Sequence, residues 1–345
     1  MKKFIYSLSA LFLMVSSVSY AGNPDRAGSA GAGQLLLNPW AQSSGMGFSS
    51  ASYVRGAEAM YLNVAGLAFT SNTDIAFTNT NHLAGADIQM NAFALSKKVG
   101  ESGSIGIGIN SMSFGDVDIT TTDQPEGNIG TFSPVLNYFT LAYAKEFSNS
   151  IYGGIVVKMI TESINNASGS GFAFDAGIQY LTGAEENIHF GISLKNVGPP
   201  MSFGGDGVSN SVKIDEKELT TNQRVESFEL PSLINIGAAY DVIMVGGKHV
   251  LTFAGNFTSN SFTNDQVSLG VNYKFNDRFE VRGGYRNEDN ITSDEDSQTV
   301  FNPISAGASV NVPFGDGNRL SLDYSYRDTR IYSGTHSVGV RIWLN

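Results

Sequence analysis

Residues 266–288 read QVSLGVNYKFNDRFEVRGGYRNE. Val267, Leu269, Val271, Tyr273 and Phe275 alternate with Ser268, Gly270, Asn272 and Lys274. After Asn276 and Asp277 the alternation resumes, with Phe279, Val281, Gly283 and Tyr285 set against Glu280, Arg282, Gly284 and Arg286. A period of two is the signature of a strand, and Asn-Asp that of a turn, so the stretch predicts a hairpin with one apolar and one polar face. In a soluble sandwich the apolar face would pack on a second sheet. In a membrane barrel it would face lipid and leave the polar face to the lumen. One hairpin does not separate these architectures.

The rest of the chain does. Ile188 to Lys195, Leu320 to Arg327 and Val338 to Leu344 repeat the pattern. Alternation and turn signals divide residues 71–345 into about fourteen strands, starting near Asp74, Asp87, Ser104, Pro134, Tyr152, Gly171, Asn187, Ser232, His249, Gln266, Arg278, Ile304, Arg319 and Thr335. The links alternate in length. Short ones fall at 100–103, 148–150, 182–186, 245–248, 276–277 and 315–317; longer polar ones fall at 115–133, 165–170, 199–231, 259–265, 287–303 and 328–333. The first link, 82–86, is short where a long one is expected. A sandwich has no reason to sort its loops by length. An outer-membrane barrel does, with short turns on the periplasmic side and long loops outside. The predicted fold is therefore an all-β, transmembrane antiparallel β-barrel of about fourteen strands. Arg282, Arg286, Arg327, Arg341, Lys274 and Glu280 are expected on its lumen face.

Composition agrees. Of 345 residues 15% are charged, against roughly a quarter in ordinary soluble domains, with 39 Gly, 22 Phe and 14 Tyr. Met1-Lys2-Lys3, the apolar run to Val18 and Ser19-Tyr20-Ala21 form a secretory signal peptide over residues 1–21, whose removal takes the net charge from −11 to −13. Without cysteine the exported chain does not depend on disulfides, and its acidic balance argues against nucleic acid.

Signs of catalysis are sparse. The four histidines are His82, His189, His249 and His336. His189 and Ser193 share a strand face but stand about 13 Å apart by strand rise. No nucleophile elbow, phosphate loop, dinucleotide fingerprint or zinc helix motif occurs, so neither an enzyme nor a cofactor is expected. The acids Glu288, Asp289, Asp294, Glu295 and Asp296 lack the spacing of a calcium loop and read as a solvated external loop.

Ahead of the first strand lies residues 22–70, with "SSGMGFSSASYV" (Ser43 to Val54) and "GAEAMYLNVAGLAF" (Gly56 to Phe69). The second is apolar but too short to span a bilayer. It either folds inward as a hatch that plugs the lumen or lies beneath the barrel. Its start is expected on the periplasmic side.

The run AQSSGMGFSSASYVRGAEAMYLNVAGLAF resembles the N-terminal signature of the FadL-like outer-membrane superfamily, and within it the PorV/PorQ family of Bacteroidetes. Gly45, Met46, Gly47, Asn63, Ala65, Gly66 and Leu67 match that pattern. Gln42 or Ser43 stands where Arg is usual, and Val64 replaces a Pro, a change that leans to the PorV-like side. The resemblance implies a fourteen-stranded barrel with an N-terminal hatch. For a PorV-like member it implies a part in type IX secretion: at its extracellular rim the barrel would take exported cargo bearing a C-terminal signal domain from a large outer-membrane translocon protein and pass it to surface attachment machinery. The loop from Pro199 to Pro231, with Val212, Ile214, Val225 and Phe228, is the expected contact surface; outer-membrane lipid and lipopolysaccharide are the other expected partners. For a FadL-type member it implies transport of hydrophobic small molecules, with an apolar pocket behind the hatch and a lateral gap in the wall.

Overall fold

A computed structural model describes residues 26, 28–214, 217–222, 225–244, 246–315 and 317–345; the signal peptide lies outside the described residues. Fourteen long strands form one sheet: β1 (Thr73–His82), β2 (Ile88–Val99), β3 (Gly103–Ser113), β4 (Val135–Ser148), β5 (Ile151–Ile164), β6 (Ala167–Thr182), β7 (Ile188–Val197), β8 (Leu233–Met244), β9 (His249–Asn260), β10 (Gln266–Phe275), β11 (Phe279–Glu288), β12 (Phe301–Phe314), β13 (Asn318–Thr329) and β14 (Thr335–Leu344). Each is antiparallel to its neighbours in sequence, and β14 returns to β1 in continuous register from Thr73↔Leu344 to Asn81↔His336. The sheet is thus a closed barrel. Closure matters because a backbone amide or carbonyl left unpaired in hydrocarbon costs several kcal/mol.

The alternation seen in the sequence separates the two faces. Phe77, Ile107, Leu141, Ile155, Ile192, Leu269, Val281, Leu322 and Val338 point outward and are exposed on the bare chain, as a lipid-facing surface must be. Phe147, Tyr180, Phe275, Phe279 and Phe314 ring the short-turn end, where an aromatic girdle belongs. Facing inward are small and polar residues, among them Ser96, Asn110, Asp175, Ser268, Arg282, Ser321 and Arg341.

Some links differ from expectation. Asn165 and Asn166 join β5 to β6 in two residues rather than a longer loop, with Asn165 left-handed (φ 51°), a conformation Asn tolerates. Both strands therefore continue past the loop predicted at 165–170. The first link is as short as its sequence suggests and is held by Ala84 N–H donating to the Gly334 carbonyl at 2.7 Å. In the Pro199–Pro231 loop, Phe203–Gly204 pairs with the start of β6, and Ser209–Ile214 forms a hairpin with Lys217–Asn222. The wall itself is irregular at two places. An extra residue on β7 opposes β6 between Phe174 and Ala176, and the pairing of β11 with β12 stops at Tyr285↔Ile304.

The N-terminal segment lies inside the barrel. It begins at the long-loop end, contrary to the expected periplasmic start: Gly31 N–H donates to the Glu229 carbonyl at 3.0 Å, and Arg26 pairs with the Glu229 carboxylate at 2.7 Å. It leaves at the short-turn end, where Lys98 N–H donates to the Asn72 carbonyl at 2.8 Å and β1 starts. The reason is steric. An eight-stranded barrel is about the width its own side chains can fill, so fourteen strands leave a hole that something else must occupy.

With short turns facing the periplasm, Arg26 sits at the cell-surface end of the barrel. An epitope placed ahead of Arg26 on the mature chain should be labelled by antibody on intact cells. Labelling that appears only after the outer membrane is permeabilised would contradict this path.

Candidate functional site: the hatch in the lumen

The hatch is a chain of single turns. After a left-handed Ala32 (φ 51°) come a 3-10 turn (Gly33–Leu36), α1 (Ala41–Ser44), a second 3-10 turn (Ser49–Ser52), α2 (Ala59–Leu62) and a third 3-10 turn (Val64–Phe69). Isolated helices of this length do not persist in water. Here they are held by the wall. Trp40, Val54, Met60, Leu62, Val64 and Leu67 are buried in one apolar cluster with Ala76, Ala92, Ala94, Ala142, Ala144, Val156 and Leu181 of the lumen face.

Both halves of the N-terminal signature have a physical role here. Gly45 lies flush against Gly307, where a Cβ would stand 3.0 Å from the Gly307 Cα. Gly47 is left-handed (φ 61°), a conformation that favours Gly, and its backbone lies directly on Gly284. Met46 between them is buried beside Ala239 and Ala254, and its carbonyl accepts from Ser49 Oγ at 2.8 Å. Gly-Met-Gly is thus one point where hatch backbone touches wall backbone.

Asn63 holds the second contact. Its Oδ1 accepts from Ala65 N–H at 3.2 Å, capping the third 3-10 turn, and its Nδ2 donates to the carbonyls of Ala51 (3.0 Å), Ile178 (3.1 Å) and Ile192 (3.4 Å). One side chain ties two hatch turns to β6 and β7. It fits because Gly177 and Gly191 present no Cβ; at Gly191 a Cβ would lie 2.7 Å from the Ala51 carbonyl oxygen. Ala65 and Leu67 are fully buried, and the Gly66 carbonyl accepts from Gly56 N–H at 3.0 Å. Val64 occupies the first position of its turn, one that suits Pro as well as Val. Sequence reasoning missed the lumen glycines Gly106, Gly154, Gly177, Gly191, Gly270 and Gly284 as partners. Their signal was present, as Gly recurring on the polar face of strands where Ser or Asn would serve.

Charge crosses the same boundary. Glu58 of the hatch lies 3.7 Å from Arg341 of β14, which also pairs with Asp323 at 3.7 Å and donates to Gln42. Gln42 donates in turn to Glu280 at 3.4 Å. The wall therefore brings a guanidinium to Gln42, one of the two positions where the resembled signature has Arg. Burial pushes the Glu58 carboxyl up to about 7, against the opposing pull of Arg341. Towards the long-loop end, Arg286 lies 3.9 Å and Arg327 5.1 Å over the ring of Phe48, while Lys195 sits 3.5 Å over Tyr61. The expected lumen positions of Arg282, Arg286, Arg327, Arg341, Lys274 and Glu280 agree with this network.

Other expected residues fall elsewhere. Phe228 is half-buried against the Leu35, Tyr138, Ile160, Met201 and Leu230 cluster, and exchanges two backbone hydrogen bonds with Met201 at 2.8 and 2.9 Å. It anchors the long loop over the lumen rather than standing free at the rim. Val225 is half-buried, and for Val212 and Ile214 the side chains lie outside the description. Ser193 does not engage His189; it donates to the Leu62 carbonyl at 2.8 Å, while His189 pairs with Asp241 at 3.0 Å. Among the described residues two cavities stand out. One of about 380 Å³ lies between hatch and wall near the short-turn end, and one of about 460 Å³ lies at the rim beside Asn137, Thr161, Glu162 and Ser168.

No protein-family model and no curated protein matches the chain. Solved structures do. The deltaS2 mutant of the TodX monoaromatic hydrocarbon channel superposes over 89% of this chain and 97% of its own, with a TM-score of 0.53 at 14% identity. The CymD monoaromatic hydrocarbon channel (TM-score 0.53, 12% identity) and the Ralstonia pickettii toluene transporter TbuX (0.51, 12%) cover the same shares. The chain has the fold of these three channels, and its closed fourteen-stranded barrel with an apolar outer face is that of an integral outer-membrane protein.

Two outcomes follow for the hatch. Asn63→Ala removes bonds to three buried carbonyls and should destabilise the seated hatch by about 2 kcal/mol or more, read as faster amide exchange over 50–69 with the strands unchanged. Glu58 has a folded value above its ordinary one, so its contribution is fully present below the ordinary carboxyl range and is lost as pH rises through about 7. Exchange across 56–62, corrected for intrinsic rates, should be slower at about pH 5.5 than at about pH 8.5. In Glu58→Gln that difference should vanish.

Proposed function

We propose that the protein passes small hydrophobic or amphipathic molecules across the outer membrane, in the manner implied by its FadL-like fold, with the hatch as the gate. The observation that carries this reading is the hatch itself: a discontinuous segment running the depth of the lumen and held by local contacts that a ligand could replace. At the outer end Leu35 fills an apolar seat made by Tyr138, Ile160, Ala173, Met201 and Leu230. A hydrophobic solute arriving beneath the Phe228 loop would compete with Leu35 for that seat. Sideways exit has a candidate place. Above Tyr285↔Ile304 the strands β11 and β12 are unpaired, and Pro303 offers no N–H to restore the ladder. Elsewhere the wall is tied more firmly: at the β6–β7 bulge, Lys158 pairs with Asp175 at 2.6 Å and donates to Asn196 at 2.8 Å. The superposable structures named as hydrocarbon channels support the same reading.

The secretion reading keeps one specific support. The hatch occupies the lumen and much of the lumen wall is polar, which suits a scaffold whose working surface is the rim. On that reading the loop from Pro199 to Pro231 would meet a translocon protein and cargo with a C-terminal signal domain.

Uptake of a radiolabelled monoaromatic hydrocarbon by cells carrying the protein tests the choice. Transport predicts uptake above that of cells without it, and a change in rate when Leu35→Ala empties the apolar seat. Background uptake in both, together with co-purification of a large outer-membrane partner from the native host, would overturn transport in favour of secretion.

A further inference from the structure

The cavity of about 380 Å³ near the short-turn end has a charged lining, which suits a polar ligand rather than an apolar solute. Hatch residues Gln42, Tyr53, Arg55 and Glu58 form one side; strands β7 to β14 form the other. Five cationic side chains line it (Arg55, Lys274, Arg282, Arg319 and Arg341) against three carboxylates (Glu58, Asp241 and Glu280).

The carboxylates are already engaged. Asp241 pairs with His189 at 3.0 Å and accepts from Thr252 at 2.5 Å. Glu280 pairs with Arg282 at 3.1 Å and accepts from Asn311 at 3.2 Å. Glu58 faces Arg341. Lys274 is paired with Asp277 at 2.9 Å, and Arg341 with Asp323 at 3.7 Å as well. The guanidinium donors are nevertheless not all used up. Arg282, whose side chain is fully buried, spends one terminal nitrogen on Glu280 and Ser309, while its Nε and other terminal nitrogen have no partner within the described residues. The Nε atoms of Arg319 and Arg341 are likewise without partners there. Both groups are held in place by Trp343, at 4.0 and 4.5 Å from its ring. Buried arginine donors left unmatched are costly, and a planar guanidinium matches the oxygens of carboxylate or phosphate.

We propose that this cavity binds a small soluble oxyanion entering from the periplasm, held by Arg282, Arg319 and Lys274 of the wall and by Arg55 of the hatch. The unmatched guanidinium donors of Arg282 and Arg319 select for an anion over a cation or a neutral solute. Because Arg55 belongs to the hatch and the others to the barrel, the bound anion cross-links the two and favours the closed state. This is independent of which molecule the barrel carries.

The probe is inorganic phosphate, titrated into the purified full-length protein in detergent at constant ionic strength, with chloride as the reference and 31P NMR and calorimetry as readouts. Saturable one-to-one binding is expected, with slower amide exchange over 50–60 in its presence. Lys274→Gln with Arg319→Gln should weaken binding about tenfold or more, while Lys97→Gln, outside the cavity, should leave it unchanged. Lys274→Gln alone, at a part-exposed position, serves if the double variant does not fold. Heat on phosphate addition no greater than with chloride, or equal loss of binding in Lys97→Gln, would overturn the proposal.

Discussion

Everything in this molecule depends on the demand that no backbone hydrogen-bonding group be left unpaired in lipid. That demand forces the sheet to close, and closure with fourteen strands creates a lumen too wide for its own side chains. The lumen must then be filled, and the chain fills it with the segment that precedes the first strand. The hatch is a consequence of the barrel's size as much as an addition to it.

How the hatch is held explains why the lumen face carries so much glycine. A helix packed on a wall of ordinary side chains would need a wider barrel. At Gly177, Gly191, Gly270 and Gly284 the wall gives up its Cβ atoms, and hatch backbone and Asn63 settle directly onto strand backbone. Contacts of that kind are numerous but individually small. Charge adds a second layer: Arg341 joins Glu58, Gln42 and Asp323, and stacked cations hold Phe48 and Tyr61. A plug fastened by many modest contacts, with an acid near neutrality among them, can be seated firmly and still be displaced as a unit.

The barrel was legible because a period of two survives in nearly every strand, and because loops sorted by length have no meaning in a soluble sandwich. Strand starts such as His249, Gln266 and Thr335 coincide with those observed. Where the reading missed, a local competitor won. At Asn165 the left-handed preference of Asn made a tight turn out of an expected loop. The position of the hatch was not legible, since an apolar fourteen-residue stretch looks the same beneath a barrel as within it. Its direction was hidden too, because the contact of Arg26 and Gly31 with Glu229 joins residues some two hundred positions apart. Phe228 looked like a rim contact for the same reason: its partners Leu35, Met201 and Leu230 are brought together by the fold alone.

The central claim is that the hatch closes an otherwise open lumen. Conductance of the protein in a planar lipid bilayer tests it most directly, with the intact chain compared against a variant lacking residues 28–70. A silent intact protein and a stable, ion-conducting pore from the deletion variant are the predicted pair. Equal conductance from both, with the variant shown to be folded by its heat-modifiable migration on a gel, would contradict the account.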